Sequence, residues 1–172
     1  PGGEQRIRIY TPKNASSNAP GLLLIHGGGM IMGSIEAEAG TAQMLCAETG
    51  AVVVSTDYRK APENPYPAGA DDCYNAAQWL FDNASELGVD DKNIGIYGGS
   101  AGGGLALAVV LMAKDRGSMT FKFMMPIYPM IDDRNETAST HGVTEVGIWD
   151  RAGNIEAWEW YLGGKPADGY AA

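Results

Sequence analysis

Residues 93–104 have the sequence Asn-Ile-Gly-Ile-Tyr-Gly-Gly-Ser-Ala-Gly-Gly-Gly, and this stretch decides the fold. An apolar run typical of a buried strand passes directly into the pattern G-x-S-x-G, with Ser100 at its centre, and then into a helix-forming segment. A serine on so sharp a turn has a strained backbone, and the flanking chain passes close to it, so its neighbours two positions away must be small. The stretch therefore predicts Ser100 as a nucleophile, with Gly98 and Gly102 supporting the turn.

A second glycine run follows another buried strand. Residues 21–25 are continuously apolar, and His26-Gly27-Gly28-Gly29 comes next. Successive glycines let backbone N–H groups face a cleft with no side chain in the way. Together with the N–H of Ala101 at a helix N-terminus, the N–H groups of Gly27 and Gly28 can stabilise an oxyanion. We assign His26 and Gly29 supporting roles in this loop.

The rest of the chain alternates between the two periodicities of strands and helices. A half-exposed strand at 6–10 comes first, and buried strands are then expected at 21–25, 51–55, 93–97 and 121–131. Helices are expected at 36–49, 69–87 and 101–116, each closed by a glycine. This order predicts parallel βαβ units in one domain over residues 1–172, with a doubly wound, mostly parallel α/β sheet.

Composition excludes several functions. The 172 residues carry a net charge of −9 and no basic stripe, so nucleic acid is not an expected partner. No apolar run is long enough to span a membrane and no leader sequence is evident, so we expect a cytoplasmic location. Cys46 and Cys73 lie in helix-like segments and are interpreted as buried free thiols. No Cys/His cluster suggests a metal, and no cofactor is expected.

Four sequence blocks occur in an order and spacing that resemble one family. The blocks are HGGGM at 26–30, DYRKAPENPYPAGADDC at 57–73, GGSAGGG at 98–104 and PMIDDRNETAS at 129–139. They resemble the hormone-sensitive-lipase family (family IV bacterial carboxylesterase type) of the α/β-hydrolase fold. The resemblance implies a serine carboxylesterase that hydrolyses small-molecule esters of small to medium acyl chains through an acyl-serine. Two positions depart from the family, Gly99 where Asp is usual and Met30 where an aromatic residue is common.

The resemblance also implies that a catalytic acid and histidine come from loops beyond position 172. We therefore expect an incomplete fold, with the N-terminal cap and the C-terminal strands missing. The strand at 121–131 is then expected to pair with the missing part of the same enzyme or with a neighbouring chain. His26 belongs to the oxyanion loop, and His141 is interpreted as a solvated or pocket-wall residue rather than the base.

Two alternatives remain open at this stage. A receptor-like member of the fold binds a ligand without hydrolysing it, and an amidase or acyltransferase uses the same site residues. Other polar and aromatic residues have structural interpretations: Asp57 ends a strand, and Trp149, Trp158, Trp160 and Tyr161 have near-helical spacing that favours packing over a binding platform.

Overall fold

A computed structural model describes residues 3–145, 147–167 and 169–171. Five strands form one sheet in the order β1-β3-β2-β4-β5. β1 is antiparallel to β3, and all the other neighbours are parallel. The strands are β1 (Ile7–Tyr10), β2 (Ala19–Ile25), β3 (Val52–Thr56), β4 (Val89–Gly99) and β5 (Phe123–Ile127).

Helices cover both faces of this sheet, which confirms the predicted doubly wound α/β fold. The helices are α1 (Ala39–Thr49), α2 (Ala68–Asp82), α3 (Ala101–Arg116), α4 (Ala138–Gly142) and α5 (Arg151–Leu162). α2, α3 and α5 contribute to the larger apolar core, whereas α1 contributes to a smaller core on the opposite face.

The buried strands are apolar on both sides because both faces are covered. In β2, Leu23 and Ile25 belong to the larger core, and Leu22 and Leu24 belong to the smaller one. Successive side chains of a strand point to opposite faces, so a continuous apolar run is what a doubly covered strand requires. The glycine loop and the serine turn follow the C-terminal ends of β2 and β4, which are adjacent parallel strands.

The strand predicted at 93–97 is longer, at Val89–Gly99, and two other predicted elements differ more from the structure. α2 ends at Asp82 rather than near residue 87, and the Asn83 side chain donates to the Trp79 carbonyl at 2.8 Å where the helix stops. The strand expected at 121–131 is shorter and is not buried. Phe123, Met124 and Met125 are 46, 48 and 47% exposed, because β5 lies at an edge of the sheet and is paired only with β4 among the described residues.

Cys46 and Cys73 are buried free thiols, as interpreted from the sequence. Within the part of the chain that the structure describes, no helix is long and apolar enough to cross a membrane. The expected cytoplasmic location stays a prediction.

Candidate active site

Ser100 occupies the turn between β4 and α3, with φ 54° and ψ −120°. A positive φ is strained for a residue with a β-carbon and persists only where the surroundings fix it. Here the Ser100 N–H donates to the Ile127 carbonyl at 2.9 Å, and the Ser100 carbonyl accepts from the N–H groups of Gly103 at 2.9 Å and Met130 at 3.0 Å. The serine is thus held between β5, α3 and the segment that follows β5.

The glycines on either side of Ser100 allow backbones to meet. A β-carbon on Gly98 would overlap the carbonyl of Gly102, and one on Gly102 would overlap the carbonyl of Ile25 at the end of β2. Gly99 differs, because a β-carbon there would lie 3.8 Å from the Tyr128 ring in ordinary contact. The structure therefore leaves room for a β-carbon at position 99.

The glycine loop lies directly against the serine turn. A β-carbon on Gly27 would be 3.0 Å from the Gly99 carbonyl oxygen and 3.6 Å from the Ser100 β-carbon. Gly28 has φ 116°, and its carbonyl accepts from the N–H of Met32 at 2.9 Å. Among the described residues, no backbone carbonyl accepts a hydrogen bond from the N–H of Gly27 or Gly28.

Ala101 adds a third donor beside this loop. It is the first residue of α3, so its N–H has no acceptor within the helix, and it donates to no other backbone carbonyl among the described residues. The positive end of the helix dipole also lies here. Three backbone N–H groups, two in the glycine loop and one on the residue after Ser100, therefore have no backbone acceptor among the described residues.

His26 is a structural part of the loop. Its side chain is 1% exposed, its ring stacks on Tyr58 with centroids 4.3 Å apart, and its Nδ1 lies 2.7 Å from the Gly27 carbonyl. Nε2 lies 4.0 Å from an Asp57 oxygen and has no hydrogen-bond partner among the described residues. Burial lowers the pKa of His26, which favours the neutral ring with Nδ1–H donating to Gly27.

The other candidate polar residues are not brought to Ser100. Asp57 forms ion pairs with Lys60 at 3.0 Å and Arg6 at 3.4 Å, as expected of a structural carboxylate. His141 is exposed on α4 and does not line the cavity at Ser100. Among the described residues, no group of three or more His, Cys, Asp or Glu side chains could hold a metal ion.

A cavity of about 300 Å³ opens beside Ser100. Its walls come from the segment after β5 and from α5, and are mostly apolar or aromatic. Its lining includes Met130, Ile131, Trp149 and Trp158, together with Asp132, whose carboxylate is paired with Arg134 at 2.8 Å. Such a cavity suits the uncharged, partly apolar body of a small ester. Met30 is buried in the core instead, at 2% exposure, and is absent from this lining.

Sequence reasoning missed a polar network behind the cavity wall. The Trp149 indole N–H donates to the Asn154 side chain at 3.0 Å, and the Asn154 amide donates to the side chain of Asn135. Asn135 is buried and has φ 55°. The only signal was that Asn135 falls in the block at 129–139; nothing in the sequence indicated its partners.

Comparison with known proteins identifies the family. A family model described as alpha/beta hydrolase fold (Abhydrolase_3) matches residues 22–172. The chain therefore belongs to this alpha/beta-hydrolase family, which confirms the resemblance found in the sequence.

Individual relatives agree with this assignment. Carboxylesterase NlhH from Mycobacterium tuberculosis (strain CDC 1551 / Oshkosh) is 39% identical over 123 residues, covering 72% of this chain and 39% of that protein. The arylesterase of Saccharolobus solfataricus is 41% identical over 129 residues, covering 74% and 41%. A solved structure named Bacterial Heroin Esterase has a TM-score of 0.92 at 36% identity, covering 96% of this chain and 55% of that one. The chain thus spans about two fifths of these curated relatives and about half of the solved structure.

Proposed function

We propose that this chain supplies the nucleophile and the oxyanion hole of a serine carboxylesterase. The observation that supports the proposal is the strained turn at Ser100, which is packed against Gly27 and opens into a cavity with apolar, aromatic and polar side chains. Three relatives with the names carboxylesterase, arylesterase and heroin esterase support ester hydrolysis as the reaction.

The proposed chemistry follows from the positions of these groups. The Ser100 hydroxyl oxygen attacks the ester carbonyl while its proton passes to a general base. The carbonyl oxygen becomes an oxyanion and accepts hydrogen bonds from the N–H groups of Gly27, Gly28 and Ala101. Collapse expels the alcohol, which takes that proton from the base. Water then gives a proton to the base and attacks the acyl-serine. The bond to the Ser100 oxygen breaks, that oxygen regains the proton from the base, and the acid product leaves.

The base and its acid are proposed to come from residues other than these 172. His26 is buried, stacked and bonded to the loop carbonyl, and His141 is exposed and does not line the cavity. Without a base, a serine hydroxyl is a weak nucleophile at neutral pH. The tests below therefore use the full-length protein that carries this sequence.

The substrate class is proposed from the cavity. A volume of about 300 Å³, with apolar and aromatic side chains interspersed with polar ones, fits esters of small to medium acyl chains. No cofactor is needed for this chemistry, since the nucleophile and the charge-stabilising donors are both protein groups.

Replacing Ser100 tests the function. The variant Ser100→Ala should lower kcat for p-nitrophenyl butyrate by about 10³-fold or more, because removing a nucleophile abolishes the acyl-enzyme route. Ser85→Ala is the matched control, since Ser85 is exposed and remote from the cavity. A fluorophosphonate probe should label the wild-type protein at Ser100 and should not label the Ser100→Ala variant. Hydrolysis that survives in Ser100→Ala would contradict the proposal.

The same experiment separates the open alternatives. A receptor-like protein would bind esters without turnover and would resist the probe. An amidase would cleave a p-nitroanilide faster than the matching p-nitrophenyl ester, and an acyltransferase would give more transfer product than acid when an alcohol is supplied.

A further inference from the structure

A second cavity adjoins the one at Ser100. Its volume is about 250 Å³, and Val143 and Arg151 are part of its lining. Four residues line both cavities, and Ser100 lines only the first. The shared residues are Asn135, Thr140, Trp149 and Asn154. The two spaces are therefore separated by a common wall, of which Trp149 is the largest side chain.

The position of Trp149 in this wall is fixed by hydrogen bonds. Its indole N–H donates to Asn154, and Asn154 in turn donates to Asn135, which is buried. Asn135 has two further hydrogen bonds. Its side-chain amide donates to the Asp133 backbone carbonyl at 3.0 Å, and its backbone carbonyl accepts from the Arg151 guanidinium at 2.6 Å. A partly buried network centred on the buried Asn135 favours one rotamer of the attached indole.

The indole ring also packs against the glycine loop at Gly29. A β-carbon on Gly29 would overlap the six-membered ring of Trp149. The ring thus closes the Ser100 cavity on the side of the oxyanion loop, and it has no room to swing toward that loop. The close approach of Gly29 at the edge of the six-membered ring and the hydrogen bond at the indole nitrogen together restrict movement of the ring.

We propose that Trp149 is the specificity-determining wall of this site and sets the length of the apolar chain that an ester can place beside Ser100. The inference rests on the proposed esterase function. A chain extending from the carbonyl at Ser100 meets the indole, and removing the indole would join two cavities of similar size. Each further methylene that a substrate can bury in such a pocket is worth about tenfold or more in kcat/KM.

The test measures chain-length preference in the full-length protein. The acyl side is probed by the ratio of kcat/KM for p-nitrophenyl octanoate to that for p-nitrophenyl butyrate, and the alcohol side by the ratio for octyl acetate to butyl acetate. Each ratio is taken within one variant, so the fraction of folded enzyme cancels. The variants are Trp149→Ala, the conservative Trp149→Phe, and the control Trp160→Ala, which removes a half-exposed indole of α5 that lines neither cavity.

Trp149→Ala should raise one of the two ratios at least about tenfold. Trp149→Phe should stay within about twofold of wild type because a ring still fills the wall, and Trp160→Ala should match wild type. If Trp149→Ala does not fold, Trp149→Leu replaces it, with a smaller rise in the same ratio. Unchanged ratios in both series for the folded variant, or an equal rise in Trp160→Ala, would overturn the inference.

Failure of the inference is distinguishable from failure of the proposed function. Hydrolysis that depends on Ser100 but has the same chain-length ratio in Trp149→Ala overturns the inference alone. Hydrolysis that is equal in wild type and Ser100→Ala overturns the proposed function, and the inference with it.

Discussion

The substitution Gly28→Ala, which adds a single methyl group, tests the proposed oxyanion hole. Its φ of 116° lies in a region that only glycine occupies readily, and a β-carbon there would overlap the Met32 carbonyl oxygen. The neighbour is backbone rather than a flexible side chain, so the variant Gly28→Ala can be accommodated only if the loop moves. Movement of the loop would reorient the N–H of Gly28, which is one of the three donors proposed for the oxyanion.

Gly28→Ala is expected to lower both kcat and the free energy of unfolding. Loss of one oxyanion donor lowers kcat by about 10²- to 10³-fold, which corresponds to about 2.7–4 kcal/mol of transition-state stabilisation. The backbone strain lowers the free energy of unfolding by about 1–3 kcal/mol. KM should change little, because the donors act mainly on the charge that develops in the transition state.

The assay combines steady-state hydrolysis of p-nitrophenyl butyrate with urea unfolding of the full-length protein. Gly40→Ala is the matched control, since Gly40 lies within α1 and a β-carbon there meets nothing within 4 Å. That control should keep kcat and should not lose stability, because alanine is the better helix former. A Gly28→Ala enzyme with normal kcat and raised KM would refute the reasoning, since the loop would then bind the ground state.

Two further predictions concern the pH dependence of stability and the sheet edge. Burial lowers the pKa of His26, so below about pH 6.5 the folded state binds fewer protons than the unfolded state. The free energy of unfolding should therefore fall by up to about 1.4 kcal/mol for each pH unit below about 6.5. Urea unfolding at several pH values should show this slope in wild type and a smaller one in His26→Asn; equal slopes would contradict it. We also propose that β5 pairs on its second edge with a further segment of the full-length protein or with a neighbouring chain, so the amides of 123–125 and 127 should all be protected from hydrogen exchange. Protection of only the amides that face β4 would contradict that proposal.

The architecture could be predicted from the sequence because it depends on local patterns. Continuous apolar runs marked the strands that are covered on both faces, and glycines marked the ends of α1 and α3. The turn at Ser100 was predictable for the same reason, since a sharp strand-to-helix junction requires small residues at fixed distances from the serine.

The differences arise where a side-chain hydrogen bond or the absence of a neighbouring strand among the described residues, rather than the apolar spacing, decides the structure. The apolar spacing that predicted a helix to residue 87 continues past Asp82, but the Asn83 side chain bonds a helix carbonyl and the backbone turns. The strand expected to be buried at 121–131 has the composition of an interior strand, whereas burial depends on what lies beside it. Phe123 and Met124 are therefore half-exposed despite an apolar sequence.

The hydrogen bonds of the cavity wall could not be predicted from the sequence, because they join residues that no local pattern connects. Near-helical spacing grouped Trp149 with the packing residues of the last helix, but Trp149 lies before α5 begins at Arg151. Its partner Asn154 is five residues away, and Asn135 is fourteen residues earlier in the chain. No local pattern links a buried asparagine with positive φ to an indole so far along the sequence.

The proposed catalytic groups and the cavity wall come from different parts of this fold, and the two parts are in contact at Gly29. The donors and the nucleophile follow the ends of β2 and β4, where the parallel register fixes their separation. The cavity wall comes from the segment after β5, whose side chains lie outside the sheet. Gly29 lies in the glycine loop after β2, and the Trp149 ring of the cavity wall occupies the space where a β-carbon of residue 29 would be. A larger residue at 29 would displace the wall and strain the loop together, so the requirement for glycine extends one position beyond the residues proposed to donate to the oxyanion.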